Sequence, residues 1–232
     1  MREVKLSPLR LYKLLFERYG PQGWWPGETP FEVAIGAILT QATAWRNAER
    51  AIENLKSASL LSPRGLFEID ERGLAELIRP AGFQNLKARR IKSFVDHLFG
   101  RYSGSLERMF SKGAEELREE LLSIKGIGRE TADAITLYAA GKPTFVIDSY
   151  TRRLLGRLGM ADERAGYEEL RRFFMENLPP DLEIYKEYHA LIVRHCKEVC
   201  RKRPLCERCH LKTLCRYAER DRAIPDLSAD RL

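Results

Sequence analysis

The chain has 232 residues, of which 44% are hydrophobic and 31% charged, and a formal net charge of +7. That length holds one large domain or two modest ones with real cores, and no apolar run approaches the roughly 20 residues that span a bilayer. The basic balance favours polyanionic partners, and Met1 to Pro8 lacks the apolar stretch of a secretory signal, so the expected location is cytoplasmic and nucleoid-associated.

Helix signals dominate the chain in order. Ser7-Pro8 reads as an N-cap and first helical residue, followed by Leu9, Leu11, Leu14, Leu15 and Phe16 at helical spacing. Thr29-Pro30-Phe31-Glu32 has the form of a capping box, and the dense apolar run from Phe31 to Leu39 predicts a buried helix. Helical patterns continue over Ala48 to Ile52, Gly73 to Ile78, Lys87 to Phe99, Ala114 to Ile124, Thr131 to Ala140, Ser149 to Leu158 and Tyr167 to Asn177. Gly, Pro and Ser punctuate them at Ser62-Pro63, Pro80-Ala81-Gly82, Gly100, Gly141-Lys142-Pro143 and Pro179-Pro180. Only Thr144-Phe145-Val146-Ile147 has a strand-like pattern. The reading is all-α, about 10 helices with short connections, and a polar end expected to fray from Asp221.

Gly126-Ile127-Gly128 lies between an apolar helical run and a second helix start. Read alone, it is a plain helix–helix turn. Beside Lys125, Arg129 and the hydroxyl of Thr131, it is also a place where exposed amides at a helix start can hold a phosphate. Asp148 precedes Ser149-Tyr150-Thr151 and reads as an N-cap. A carboxylate so placed stays ionised, which also suits an electrostatic stabiliser or general base. All five cysteines, Cys196, Cys200, Cys206, Cys209 and Cys215, lie in the last 37 residues. An odd, clustered set argues against a disulfide framework and for zinc or an iron–sulfur cluster on Cys200, Cys206, Cys209 and Cys215, with Cys196 a spare buried thiol. Lys202, Arg203, Arg208 and Lys212 decorate these loops and are candidate phosphate contacts. Trp24, Trp25 and Trp45 serve either core packing or an aromatic slot for a base, cationic bases above all. Gln41 ends an apolar helix and either caps it or enters a DNA stack.

Together, the glycine hairpin, the Asp148 segment, Leu39-Thr40-Gln41-Ala42-Thr43 and the four-cysteine tail resemble the endonuclease III superfamily of DNA glycosylases, with its helix-hairpin-helix, Gly/Pro-rich segment and aspartate. The resemblance covers about residues 28 to 215. It implies two α-helical domains with the active site in the cleft between them. One is a six-helix domain over 28–140 carrying the hairpin. The other comprises 1–27 plus 141–232, with the catalytic Asp148 and a 4Fe-4S cluster loop over 200–215. The family spacing is C-x6-C-x2-C-x5-C, and here the first interval is one residue shorter. Bifunctional members carry a Schiff-base lysine where this chain has Glu130, and a carboxylate cannot form that adduct. The resemblance therefore implies base removal by water, without strand cleavage. Gln41 and Phe83 match the residues that fill the gap left by an everted nucleotide, while Lys125, Gly126, Gly128, Arg129 and Thr131 match the hairpin that grips DNA.

Trp24-Trp25-Pro26, the segment Lys125 to Ile135 and Glu187-Tyr188-His189 are similar to the 3-methyladenine glycosylase III group, some members of which lack the cysteines. That group stacks an alkylated base between aromatics, here Trp24 or Trp25 with Trp45. The adenine-mismatch branch fits less well, because its catalytic glutamate corresponds to Gly36. The expected partner is double-stranded DNA carrying a damaged base, bound by a monomer. The rivals are a glycosylase for another damaged or mismatched base, a non-catalytic lesion-binding protein, and a zinc-stabilised helical protein.

Overall fold

The computed structural model describes residues 6–162 and 164–223, with side chains through Glu219. The expectations for Met1 to Lys5 and for residues 224–232 concern residues outside these. The described residues contain thirteen α-helices: α1 (Pro8–Tyr19), α2 (Pro30–Leu39), α3 (Trp45–Ser57), α4 (Pro63–Glu68), α5 (Glu71–Leu77), α6 (Gln84–Tyr102), α7 (Leu106–Phe110), α8 (Ala114–Ser123), α9 (Arg129–Ala134), α10 (Ser149–Leu158), α11 (Tyr167–Asn177), α12 (Leu182–Glu198) and α13 (Arg216–Ala223). The all-α expectation holds. Thr144 to Ile147 is extended and buried, yet the described residues contain no strand for it to pair with. The helix of α13 also runs on past Asp221, where fraying was expected.

Two compact units emerge, Trp25–Val146 and Met1–Trp24 with Ile147–Leu232. In the first, α2 is buried along its whole length from Phe31 to Leu39 and packs against α3, α6 and α9. The capping box at its start is only half formed. Thr29 Oγ1 accepts from the Glu32 amide at 3.1 Å, but the Glu32 carboxylate turns to the Glu28 amide and to Lys56 Nζ, 3.0 Å away. The cation outcompetes the cap's return bond.

The helical pattern from Thr131 to Ala140 is real but not uniform. After α9 the chain makes one wide π turn over Ile135–Ala139, with the Ala140 amide bonding back to Ile135 at 2.9 Å. Such an inserted residue shifts every later side chain around the helix. Beneath it, Asp133 accepts from Arg118 Nε at 2.9 Å and from Thr144 Oγ1 at 2.6 Å, a buried tie between α8, α9 and the extended segment.

In the second unit, α12 is the central helix, packed against α1 and α10. Its buried Tyr188 meets Tyr12 and Phe174, each with ring centroids 5.4 Å apart.

Candidate active site and nucleic-acid interface

The hairpin is built as its glycines require. Gly126 has φ +92°, a conformation L side chains rarely adopt, and a Cβ there would overlap Arg90 Cγ. Gly128 is extended and caps α9. Ile124 and Ile127 anchor the turn in the core, leaving Lys125, Gly126, Gly128 and Arg129 exposed. Glu130 is exposed in the first turn of α9.

Thr131 departs from expectation. It is buried, and its hydroxyl accepts from Gln41 Nε2 at 2.8 Å, so it faces the protein rather than a phosphate. Gln41 does not cap α2 either; the Thr40 amide makes that turn. The Gln41 amide instead reaches the hairpin, donating also to the Gly126 carbonyl at 3.2 Å and accepting from Arg90 Nη1. Arg90 therefore fills the space that Gly126 leaves and fixes Gln41 against the turn. Nothing in its sequence context marks it.

Phe83 is the most exposed large hydrophobic side chain among the described residues, at 65%, and its backbone is left-handed, with φ +48°. A bulky residue in that region is strained. Close by, Lys87 is 1% exposed, its ammonium donating to the carbonyls of Leu39 at 2.8 Å and Ala81 at 2.7 Å. Burial, and then Arg90, pull its pKa down to about 8.

The tryptophans separate into two settings. Trp25 meets Trp45 edge-on at 5.4 Å and Tyr138 at 5.2 Å, Tyr138 being delivered by the π turn. Gly36 lies beneath this group, where a Cβ would be 3.4 Å from Trp25 Nε1 and 3.6 Å from Trp45. Trp24 instead stacks on His189 of α12, with centroids 5.7 Å apart and planes within 19°.

Asp148 is the N-cap of α10. Its Oδ1 accepts from the Thr151 amide at 2.7 Å and the Thr151 hydroxyl at 2.9 Å. Its Oδ2 lies 3.6 Å from His189 Nε2, an ion-pair distance. The preceding Ile147 amide donates to Tyr167 Oη at 3.3 Å, which pins the backbone. Burial pushes this carboxyl's pKa up, but His189 and the Thr151 donors outweigh it and hold the pKa below the usual aspartate value. The anion is thus the stable form of a side chain only 8% exposed.

Cys200, Cys206, Cys209 and Cys215 all line one hollow, walled by Leu154, Leu158 and Leu211. Among the described residues, no three Cys, His, Asp or Glu side chains converge as the ligands of a single metal ion. The four thiols share this hollow, a donor set that zinc or an iron–sulfur cluster takes. Arg157 Nη1 donates to Cys200 Sγ at 3.3 Å. Cys196 donates to the Tyr150 carbonyl from a buried position outside the hollow's lining. Of the loop cations, Lys202, Arg203 and Arg208 are exposed, whereas Lys212 pairs with Glu207.

Comparison with known proteins identifies the family. The profile of the HhH-GPD superfamily base excision DNA repair proteins matches residues 35–180, a span that contains the hairpin and Asp148. The protein named "Putative DNA repair glycosylase MJ1434" from Methanocaldococcus jannaschii is 52% identical over 218 residues, covering 93% of this chain and 99% of that one. Endonuclease III of Thermotoga maritima is 30% identical, covering 82% and 84%. The crystal structure of H. pylori 3-methyladenine DNA glycosylase (MagIII) bound to 1,N6-ethenoadenine is 31% identical with a TM-score of 0.74, covering 83% and 98%. The chain belongs to the HhH-GPD superfamily of base excision DNA repair proteins. It is a DNA glycosylase of the endonuclease III superfamily.

Proposed function

We propose that the protein is a monofunctional glycosylase that hydrolyses the N-glycosidic bond of an alkylated purine such as 3-methyladenine, leaving an abasic site in double-stranded DNA. The observation that carries the reading is Asp148, a buried carboxylate kept anionic by Thr151 and His189. Such an anion lowers the energy of an oxocarbenium-like sugar, or accepts the proton of an attacking water. An N3-alkylated adenine is cationic and already a good leaving group, so selective binding matters more than a strong acid. The rings of Trp25, Trp45 and Tyr138 offer faces to such a cation. The relative bound to an ethenoadenine in H. pylori supports a modified purine.

In this reading Lys125, Gly126, Gly128 and Arg129 hold a backbone phosphate, and exposed Phe83 with Gln41 fills the gap left by the everted nucleotide. Glu130 supplies no amine, so no covalent sugar adduct forms. Cys200, Cys206, Cys209 and Cys215 would hold a 4Fe-4S cluster, which takes four thiolates and would tie the cysteine loop to α10 and α12.

The test is a panel of duplexes, each with one alkylated, deaminated or oxidised base, with any released base identified by mass. Wild type is expected to release the alkylated purine. Asp148→Asn is expected to release none while still binding the duplex, and borohydride is expected to trap no protein on abasic DNA. Release of another base reassigns the substrate, trapping restores a lyase, and binding with no release from any lesion leaves a lesion-binding protein.

A further inference from the structure

The two oxygens of Asp148 are held differently. Oδ1 takes both donors of Thr151, one residue set inside the same helix turn. That alone leaves the carboxylate plane loose, because the terminal torsion of an aspartate is broad. The second oxygen faces His189 at 3.6 Å. His189 sits in the middle of α12 between the buried Tyr188 and Ala190, so its backbone is fixed by the core. Its ring plane is fixed in turn by the indole of Trp24, stacked within 19°.

A phenyl ring would pack on an indole equally well. A buried imidazole costs more to desolvate and is worth placing there only where a nitrogen has a task. Resting on the proposed hydrolysis, we infer that His189 is a positioning residue that sets the plane of the Asp148 carboxylate toward the sugar, with Trp24 acting through it. The sequence marked Glu187-Tyr188-His189 only through a family resemblance and hid its pairing with Asp148, because α10 and α12 are separated by the whole of α11.

Two substitutions separate this role from simple packing. His189→Phe keeps a ring beneath Trp24 and removes the nitrogen. His189→Gln removes the ring and keeps an amide donor of similar reach. Single-turnover base release is measured on the lesion that wild type processes, alongside affinity for a duplex with a tetrahydrofuran abasic analogue. Thermal melts check that both variants fold. The inference expects His189→Phe to lose roughly 10- to 100-fold in rate with affinity unchanged, as for a lost close polar contact to a charged group, while His189→Gln stays within a few-fold of wild type. The opposite order, with Phe active and Gln impaired, identifies a packing role and overturns it. Equal rates in all three proteins, or equal losses in rate and affinity, overturn it too. If wild type releases no base at all, the hydrolytic reading has failed and this inference falls with it.

Discussion

Phe83 concentrates the tension between stability and function. Its φ of +48° is the region glycine adopts freely, and its ring is 65% exposed. Phe83→Gly is expected to raise the melting temperature by relieving strain of about 1 kcal/mol, and to slow base release from duplex DNA roughly tenfold as stacking of about 1–2 kcal/mol is lost. A variant that gained stability with undiminished activity would show that the ring plays no part at the lesion. Single positions differed in how well the sequence disclosed them. Asp148 was legible as an N-cap because aspartate before Ser-Tyr-Thr is a local signal, and the helix starts there. Arg90 was not, since its significance lies in the room left by Gly126. Thr131 was misjudged for a similar reason: a hydroxyl in a helix's first turn looks available until Gln41 is folded onto it.

The hairpin between α8 and α9 was readable because two glycines around one apolar anchor have few other uses. Gly126→Ala meets both a left-handed backbone and the Arg90 side chain. It is expected to cost about 1–3 kcal/mol of stability and to weaken duplex binding with a shallower salt dependence. Fluorescence titrations at several salt concentrations give the slope; an unchanged slope would take the hairpin out of the phosphate contact. The π turn after α9 was invisible. One extra residue leaves the helical pattern from Thr131 to Ala140 unbroken, and a segment buried from Thr131 to Ala139 has no exposed face whose shift would betray it. Yet that turn brings Tyr138 against Trp25.

The all-helical class followed from composition and periodicity, and the cysteine tail from spacing, because both signals are carried along the chain itself. The division at Trp24 and Val146 is less visible, since it depends on which helices pack together. Stability at low pH is expected to depend on one such long-range assembly. Glu120, on α8, accepts from His97 Nε2 at 2.7 Å and Tyr102 Oη at 2.7 Å, and pairs with Lys112 Nζ at 2.8 Å. Burial pushes its pKa up, but Lys112, Tyr102 and His97 overcome this and bring it down to about 2. A depressed carboxyl pKa stabilises the fold above the unfolded value near 4.5 and loses that contribution as pH falls toward 2. Urea midpoints at pH 7 and pH 3 should therefore differ, and Glu120→Gln should lower the first by the equivalent of about 3 kcal/mol while narrowing the gap. A gap of unchanged width would move the acid sensitivity elsewhere.

Lys87 has the most mechanical consequence. A single ammonium is anchored to the last carbonyl of α2 and to the carbonyl of Ala81. The first lies two residues before Gln41 and the second two residues before Phe83. One buried nitrogen thus ties together the backbone that leads into Gln41 and the backbone that leads into Phe83.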